Sequence, residues 1–434
     1  GKGKQKKNVF ENKNIRGFQM ILNRMLPLII GMLITFSIVT SSFSDPLSRN
    51  TYFILSYLSV IISFFVFFNK KNRLKYQSAM IISITFLLFG ISRVAWSFLV
   101  NEDGLSIYKS YSATSSRIIL SSFIFFVVII FRDKLFVFFK NNYISAIIKV
   151  LPLYIFIYAL YEIFVLGKYR VEMSTHRATG IAYLTSSIFF LSLYFCSDIK
   201  NKFDSFFYFT ILIVSNLTIF LTQTRSAIVI YLLLSIFYTI FVFRDKLSVI
   251  RVIFIFLCLI ILSGGSYKFL YKERINEAIT ETQQYDVTKP GGSLGDRYTM
   301  WYAGLSALKH APFGQSVHSR NDFISEKIAA GKISDSITVY LTVSLHNELI
   351  DVLSLQGVIG GLLLIFIYFS LMYVSIRSKN ILLLMITLCL AGYGLTDVLF
   401  FSREVITVYM LCIAVALVTG GKEDTAEQPL PIDR

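Results

Sequence analysis

The sequence predicts an all-α polytopic membrane protein of about 12 transmembrane helices with one large loop that itself contains short helices. Three observations carry that prediction. Hydrophobic residues make up 55% of the 434-residue chain and charged residues only 16%, where a soluble globular chain carries about 25% charged residues. Apolar runs close to the roughly 20 residues that cross hydrocarbon as helix recur along nearly the whole length. The basic residues gather in alternate connections between those runs, a charge bias that membrane insertion produces. The mean hydropathy of +0.64 agrees.

Taken in order, the spans are 25–43, 52–69, 79–99, 115–138, 144–166, 180–197, 206–223, 226–243, 248–264, 351–376, 380–398 and 403–420. The first follows a basic start (Lys2, Lys4, Lys6, Lys7, Lys13, Arg16) and reads as a retained anchor rather than a cleaved leader. The fourth is the weakest. Its clean core, Ile118–Phe131, is short and absorbs either Arg117 or the triplet Arg132, Asp133 and Lys134. The seventh and eighth are joined by the tight connection Thr222–Arg225. The ninth opens onto the one long polar excursion. The chain therefore divides into nine spans over 1–264, a large loop over 265–346, three spans over 347–420, and a polar tail at 421–434 that reads as partly foreign.

With the amino terminus inside, the inner connections hold Lys70, Lys71, Arg73 and Lys75; Arg132, Lys134 and Lys140; Lys200 and Lys202; Arg244, Lys246 and Arg251; and Arg377 and Lys379. Most short outer connections are poor in lysine. Both termini are then cytoplasmic and the long loop lies outside, in the periplasm of a bacterium. The net charge of +16 belongs to this bias and not to nucleic-acid binding. One outer connection breaks the rule with Lys168, Arg170, His176 and Arg177, and an anionic ligand on that side explains the exception. Cys196, Cys258, Cys389 and Cys412 all lie in apolar runs with no CxxC pair, as small buried hydrophobes do. Within the long loop, Gly291–Gly295 reads as a flexible turn before an amphipathic stretch, Asp296–His310, whose Arg297, Trp301, Leu305 and Leu308 share one face by helical spacing. A second polar stretch covers 320–335.

This topology gathers residues that lie far apart in sequence. Arg225, Arg297, His346, Asn347, Glu348, Asp397 and Arg403 all fall at the outer face, and Arg93 and Arg117 lie near the outer ends of their spans. Ionisable groups so close to hydrocarbon are costly and usually functional. Blander readings stand beside that one. Arg225 can snorkel from a helix end. Glu348 and Asp351 can complement a helix dipole. Asp397 and Arg403 can form a structural ion pair across a short turn. A lone histidine is by default a satisfied core residue, but His346 stands between a water-side loop and a span, which favours function; His310 and His318 read as ordinary loop residues. No HExxH spacing, P-loop or serine elbow is present, so neither metal nor cofactor is implied. What remains is a set of arginines suited to phosphate recognition around one potential general base.

These residues resemble a known family. Leu221-Thr222-Gln223-Thr224-Arg225, Ser293-Leu294-Gly295-Asp296-Arg297, Leu345-His346-Asn347-Glu348 leading to Leu355-Gln356-Gly357, and Gly394-Leu395-Thr396-Asp397 with Arg403 are similar, in this order and at these membrane positions, to segments of bacterial O-antigen ligases. Those ligases belong to a larger group that includes the O-antigen polymerases. The resemblance implies a glycosyltransferase of the bacterial inner membrane with its active site facing the periplasm. It would move a finished O-antigen polysaccharide from undecaprenyl pyrophosphate to a sugar hydroxyl of lipid A-core, without metal or cofactor. By the same resemblance, Arg225 and Arg297 hold the pyrophosphate, His346 serves the acceptor and Asp397 supports it. Lys168, Arg170, Arg177, Asn347, Glu348, Arg403 and Arg117 are then expected to contact substrate. The chemistry is coherent, since a pyrophosphate-linked sugar arrives activated and only the acceptor hydroxyl needs a base, a task suited to imidazole. Backside attack inverts the anomeric centre. The partners expected are the lipid-linked donor, the lipid A-core acceptor and inner-membrane lipids, with no nucleic acid; self-association is left open. Two alternatives stay open: a polymerase of the same group, to which the spacing of Arg320 and Gly331 points, and a glycan transporter, whose usual internal repeats and mid-membrane charges are not apparent here.

Overall fold

In the first span the apolar run over Met25–Ser41 is a helix. The computed structural model describes residues 25–68, 77–100, 106–244, 280–283 and 285–420. Outside them lie the span expected at 248–264 with Cys258, the basic start, Lys70–Lys75, Lys246, Arg251, most of the first part of the long loop, and the tail at 421–434. We number the helices α1 (Met25–Ser41), α2 (Asp45–Phe68), α3 (Gln77–Leu99), α4 (Ser106–Ile130), α5 (Arg132–Lys140), α6 (Asn142–Phe164), α7 (Ala178–Cys196), α8 (Lys202–Leu221), α9 (Arg225–Phe243), α10 (Gly292–His310), α11 (Val317–Ala329), α12 (Glu348–Arg377), α13 (Ile381–Gly394) and α14 (Arg403–Thr419). No strand occurs among the described residues. Eight described helices are long and apolar enough to cross a membrane, and two shorter ones are also apolar. The chain is an all-α polytopic membrane protein.

The helix boundaries depart from expectation where polar residues sit inside helices. The fourth span was expected from 115, yet α4 starts at Ser106. Its serines and threonine return their hydroxyls to carbonyls one turn back, as Ser115 does to Tyr111 at 2.6 Å and Thr114 to Ser110 at 2.9 Å. A helix can so carry polar side chains that a hydropathy window rejects. Arg117 lies within α4 and is buried, and the triplet beginning at Arg132 starts the separate helix α5 instead of extending the span. In the long loop the glycine segment is no separate turn, since α10 begins at Gly292. Nor is its packed face the one expected. Gly295, Thr299, Met300, Ala303, Gly304 and Ala307 are buried, while Leu305 is exposed. The face is chosen by size. A methyl added at Gly304 would sit 2.5 Å from Ile350 and 2.7 Å from Leu345, so only small residues let α10 lie this close to α12.

At the centre stand α7 and α14, buried nearly throughout and without a charged residue beyond the first turn of α14, as helices with no strongly polar face are. Around them the helix ends alternate, and cross-links fix which ends meet. Ser174 bonds the Ser42 carbonyl at 3.2 Å, Arg170 bonds Thr222, Arg177 bonds Ser402 and Arg403 bonds Ser110. One end of the bundle therefore collects the starts of α2, α4, α7, α9, α12 and α14 and the finishes of α1, α3, α6, α8 and α13. Over that end lie α10 and α11. Among the described residues, four of the five non-glycine residues with left-handed backbone, Met173, His176, Gln223 and His346, are in its connections; such residues are uncommon and concentrate in tightly determined segments.

Helix α12 is broken once, at Gly357, where φ is +67° and ψ −164°. Its first turns belong to the loop layer and the remainder to the bundle. The turn Pro312–Gln315 inserts at the break and satisfies the released backbone groups. Gln315 N–H donates to the Leu355 carbonyl at 2.8 Å, and Val358 N–H donates to the Pro312 carbonyl at 2.9 Å.

Candidate active site

His346 is fixed from both sides in sequence. The N–H of Leu345 donates to the Asp351 carboxylate at 3.2 Å. Asn347, the cap of α12, accepts the Ile350 N–H at 3.1 Å. Held so, His346 takes a left-handed backbone (φ +50°), receives the Trp301 indole N–H on its carbonyl at 3.4 Å, and sets its ring edge-on to Tyr340. Its Nδ1 lies 3.4 Å from Asp397 Oδ1, an ion-pair separation rather than a well-directed hydrogen bond; catalytic contacts commonly tighten only once substrate is bound. Both side chains are about a quarter exposed, so the pair opens to solvent. The pair expected between Asp397 and Arg403 is not what forms: Asp397 takes His346, and Arg403 reaches Ser110 at 3.4 Å.

Burial pushes the Asp397 carboxyl up, but the His346 imidazole, the Val398 N–H and the nearby Arg297 cation outweigh it and hold its pKa below the ordinary carboxylate value. Arg297 thus belongs to the same cluster. Arg225, the first residue of α9, is exposed, and Ser226 beside it bonds the Tyr183 hydroxyl at 3.1 Å. Tyr183 stacks on Tyr393 at 4.6 Å between centroids and lies within electrostatic reach of Asp397 and Arg297. Among the described residues, neither Arg225 nor Arg297 has a side-chain hydrogen bond or ion pair. Two such guanidinium groups at the end of the bundle that holds the His346–Asp397 pair have the donors that an anion needs.

The other expected site residues divide by what they touch. Asn347 donates its amide to the Leu395 carbonyl at 3.2 Å, and Glu348 accepts the Phe400 N–H at 3.0 Å, so the two residues after His346 grip both ends of the segment that carries Asp397. Arg170 holds the Thr222 and Gln223 carbonyls at 3.1 and 3.4 Å and shapes the turn that presents Arg225. Lys168 bonds buried Glu162 at 2.7 Å, and that hydrogen bond raises its pKa. Arg117, Arg177 and Arg403 form a separate group at the starts of α2 and α14. Fully buried Arg93 packs 4.6 Å from the Tyr111 ring centroid.

Sequence reasoning passed over two features. Arg320 and Asp351, both fully buried, form an ion pair at 3.2 Å. Arg320 also bonds Ser354 and the Leu341 carbonyl, while Asp351 accepts the Tyr111 hydroxyl. The tetrad ties α4, α11 and α12 together directly beneath Leu345. Tyr183 is the other, and nothing marks it among 25 tyrosines.

Fold and site together define a multi-pass membrane protein whose polar centre lies at one end of its helical bundle. The family model described as O-antigen ligase matches residues 209–365, which carry Arg225, Arg297, His346 and the break at Gly357. The chain is 27% identical to the O-antigen ligase of Escherichia coli K12 over 356 residues, 80% of this chain and 83% of that protein. It is 26% identical over 231 residues to an uncharacterized protein of Haemophilus influenzae, 51% of this chain and 57% of that one. Together the matches support an O-antigen ligase family member, and with it a glycosyl-transferring enzyme.

Proposed function

We propose that the chain transfers O-antigen polysaccharide en bloc from undecaprenyl pyrophosphate to a sugar hydroxyl of lipid A-core, at the periplasmic face of the inner membrane. The observation that carries the proposal is the His346–Asp397 pair at 3.4 Å with two unpartnered arginines at the same end of the bundle. The charge bias supports the orientation, because the opposite end bears Arg132, Lys134, Lys140, Lys200, Lys202, Arg244, Arg377 and Lys379.

In this reading Arg225 and Arg297 cradle the pyrophosphate and neutralise the charge that grows on it as the sugar departs. An N–H on Nδ1 of His346 directed at anionic Asp397 leaves Nε2 as the proton acceptor. Nε2 takes the proton of the acceptor hydroxyl as its oxygen bonds the anomeric carbon. The bond from that carbon to phosphate oxygen breaks, and its electron pair leaves with the pyrophosphate. One displacement from the opposite side inverts the anomeric centre. Positioned general-base catalysis is worth roughly 10²–10⁴-fold.

Lipopolysaccharide from a deletion strain, run on a gel, separates ligase from polymerase. Bare core with polymer left on the carrier lipid supports the proposal. Core capped by a single repeat unit assigns the polymerase reaction instead.

A further inference from the structure

The arginines expected at one site occupy two. The second group lies where α2 and α14 begin, alongside the middle of α4. Arg117 is only 4% exposed, and its Nε and Nη1 are inaccessible to solvent and bonded to nothing. Its guanidinium carbon stands 5.7 Å from the Phe53 ring. Around it are Asp45, Arg403 and Glu404, all within electrostatic reach. Both carboxylates already have a partner: Asp45 pairs with Arg49 at 3.3 Å, and Glu404 with Arg177 at 3.7 Å. Arg177 also donates to the Ser402 hydroxyl at 3.1 Å. Among the described residues, Arg117 and Arg403 are therefore two cations with no carboxylate of their own, and the side chain of Arg403 has only Ser110 as a hydrogen-bond partner.

A buried guanidinium with idle donors is unfavourable unless an anion meets it, and a second cation beside it adds repulsion. The cluster also borders an apolar surface. Leu47, Ile54 and Tyr57 of α2 are each more than half exposed, so the helix beside Arg117 turns a bare apolar face outward. The candidate span Asp45–Val66 begins beside the cluster, and the ends of membrane spans meet lipid headgroups. The start of α14 has no side-chain cap and offers unsatisfied N–H groups.

We propose that Arg117 and Arg403, with the Ser110 hydroxyl, bind the anionic phosphate of a membrane lipid whose chains lie along α2. Guanidinium groups match phosphate oxygens in pairs, which suits this cluster better than a diffuse charge would. The anion site rests on the cluster's geometry. Only the assignment of that phosphate to the glycolipid acceptor rests on the transferase reading, and it would hold the acceptor apart from the donor's arginines.

The test uses the protein in phosphatidylcholine nanodiscs, with partly buried Arg403→Gln as the main variant because removing buried Arg117 costs more packing. Native mass spectrometry reads binding of phosphorylated lipid A-core, of the same glycolipid after phosphatase treatment, and of phosphatidylglycerol. Transfer assays read KM for acceptor and donor separately. Arg403→Gln is expected to weaken phosphorylated acceptor about tenfold in binding and KM, the loss of roughly one charge-assisted contact. The phosphatase-treated form and the donor should be unaffected. Loss of phosphatidylglycerol binding alone supports the site with a phospholipid as its occupant. If wild type binds phosphorylated lipid in this way but transfers nothing, the transferase reading fails while the site stands. Equal binding of all three lipids by Arg403→Gln and wild type overturns the site, as does a change confined to donor KM.

Discussion

Replacing Arg320 by Met strikes a fully buried ion pair that ties the loop layer to the bundle. Arg320 and Asp351 are both inaccessible to solvent and 3.2 Å apart. The Asp351 carboxylate also receives Tyr111 and the Leu345 N–H, and Arg320 also serves Ser354 and Leu341. Taking away one charge leaves the other buried without compensation, which costs about 3–5 kcal/mol. Replacing both by apolar residues of similar volume removes the stranded charge as well. Arg320→Met and Asp351→Leu should each lower stability by that amount, and the double variant by no more than about one single, a coupling of several kcal/mol. Thermal unfolding of the purified protein in one detergent, completed as a double-mutant cycle, measures it. Additive losses would show that the pair is not coupled and would refute this reasoning.

Further outcomes follow from the same geometry. A methyl at Gly357 would lie 2.4 Å from the Pro312 carbonyl oxygen and 2.6 Å from Gly314 N, in a backbone region that only glycine enters readily. Gly357→Ala should destabilise by roughly 2–4 kcal/mol in the same unfolding assay and lower transfer. Asn347→Ala and Glu348→Ala free the two ends of the Asp397 segment, so each should lower kcat by about tenfold or more while donor KM stays unchanged, a split visible in steady-state kinetics. Because the fold holds the Asp397 pKa down, its stabilising contribution is present above the ordinary aspartate value of about 3.9 and disappears as pH falls through the lowered one. The Tm gap between wild type and Asp397→Asn should therefore be present near pH 5 and close as pH falls below about 4.

The spans were legible because hydrocarbon imposes a length and a composition that a run of side chains records directly. α4 shows where that record fails, since hydroxyls bonded to the preceding turn cost a buried helix little while making its sequence look like a loop. The face of α10 was misread for a related reason. Large apolar residues mark a packed face only where space allows them, and against α12 the close approach falls at Gly304. In the candidate site, alternating helix directions were enough to bring His346 and Asp397 to one end. Sequence could not tell which polar groups would pair. The Arg320–Asp351 bond joins residues 31 apart on two helices, and the separate grouping of Arg117 and Arg403 depends on α4 passing beside the start of α14. Those are products of packing, with no local pattern to announce them.

The central claim is that His346 accepts the proton of the attacking hydroxyl while Arg225 and Arg297 hold the donor's phosphates. Single-turnover transfer by purified His346→Ala, with lipid-linked polysaccharide and lipid A-core under chelator, tests it most directly. The expected result is a fall of at least about a hundredfold in the transfer rate with donor affinity retained. A transfer rate equal to that of the wild type would contradict it.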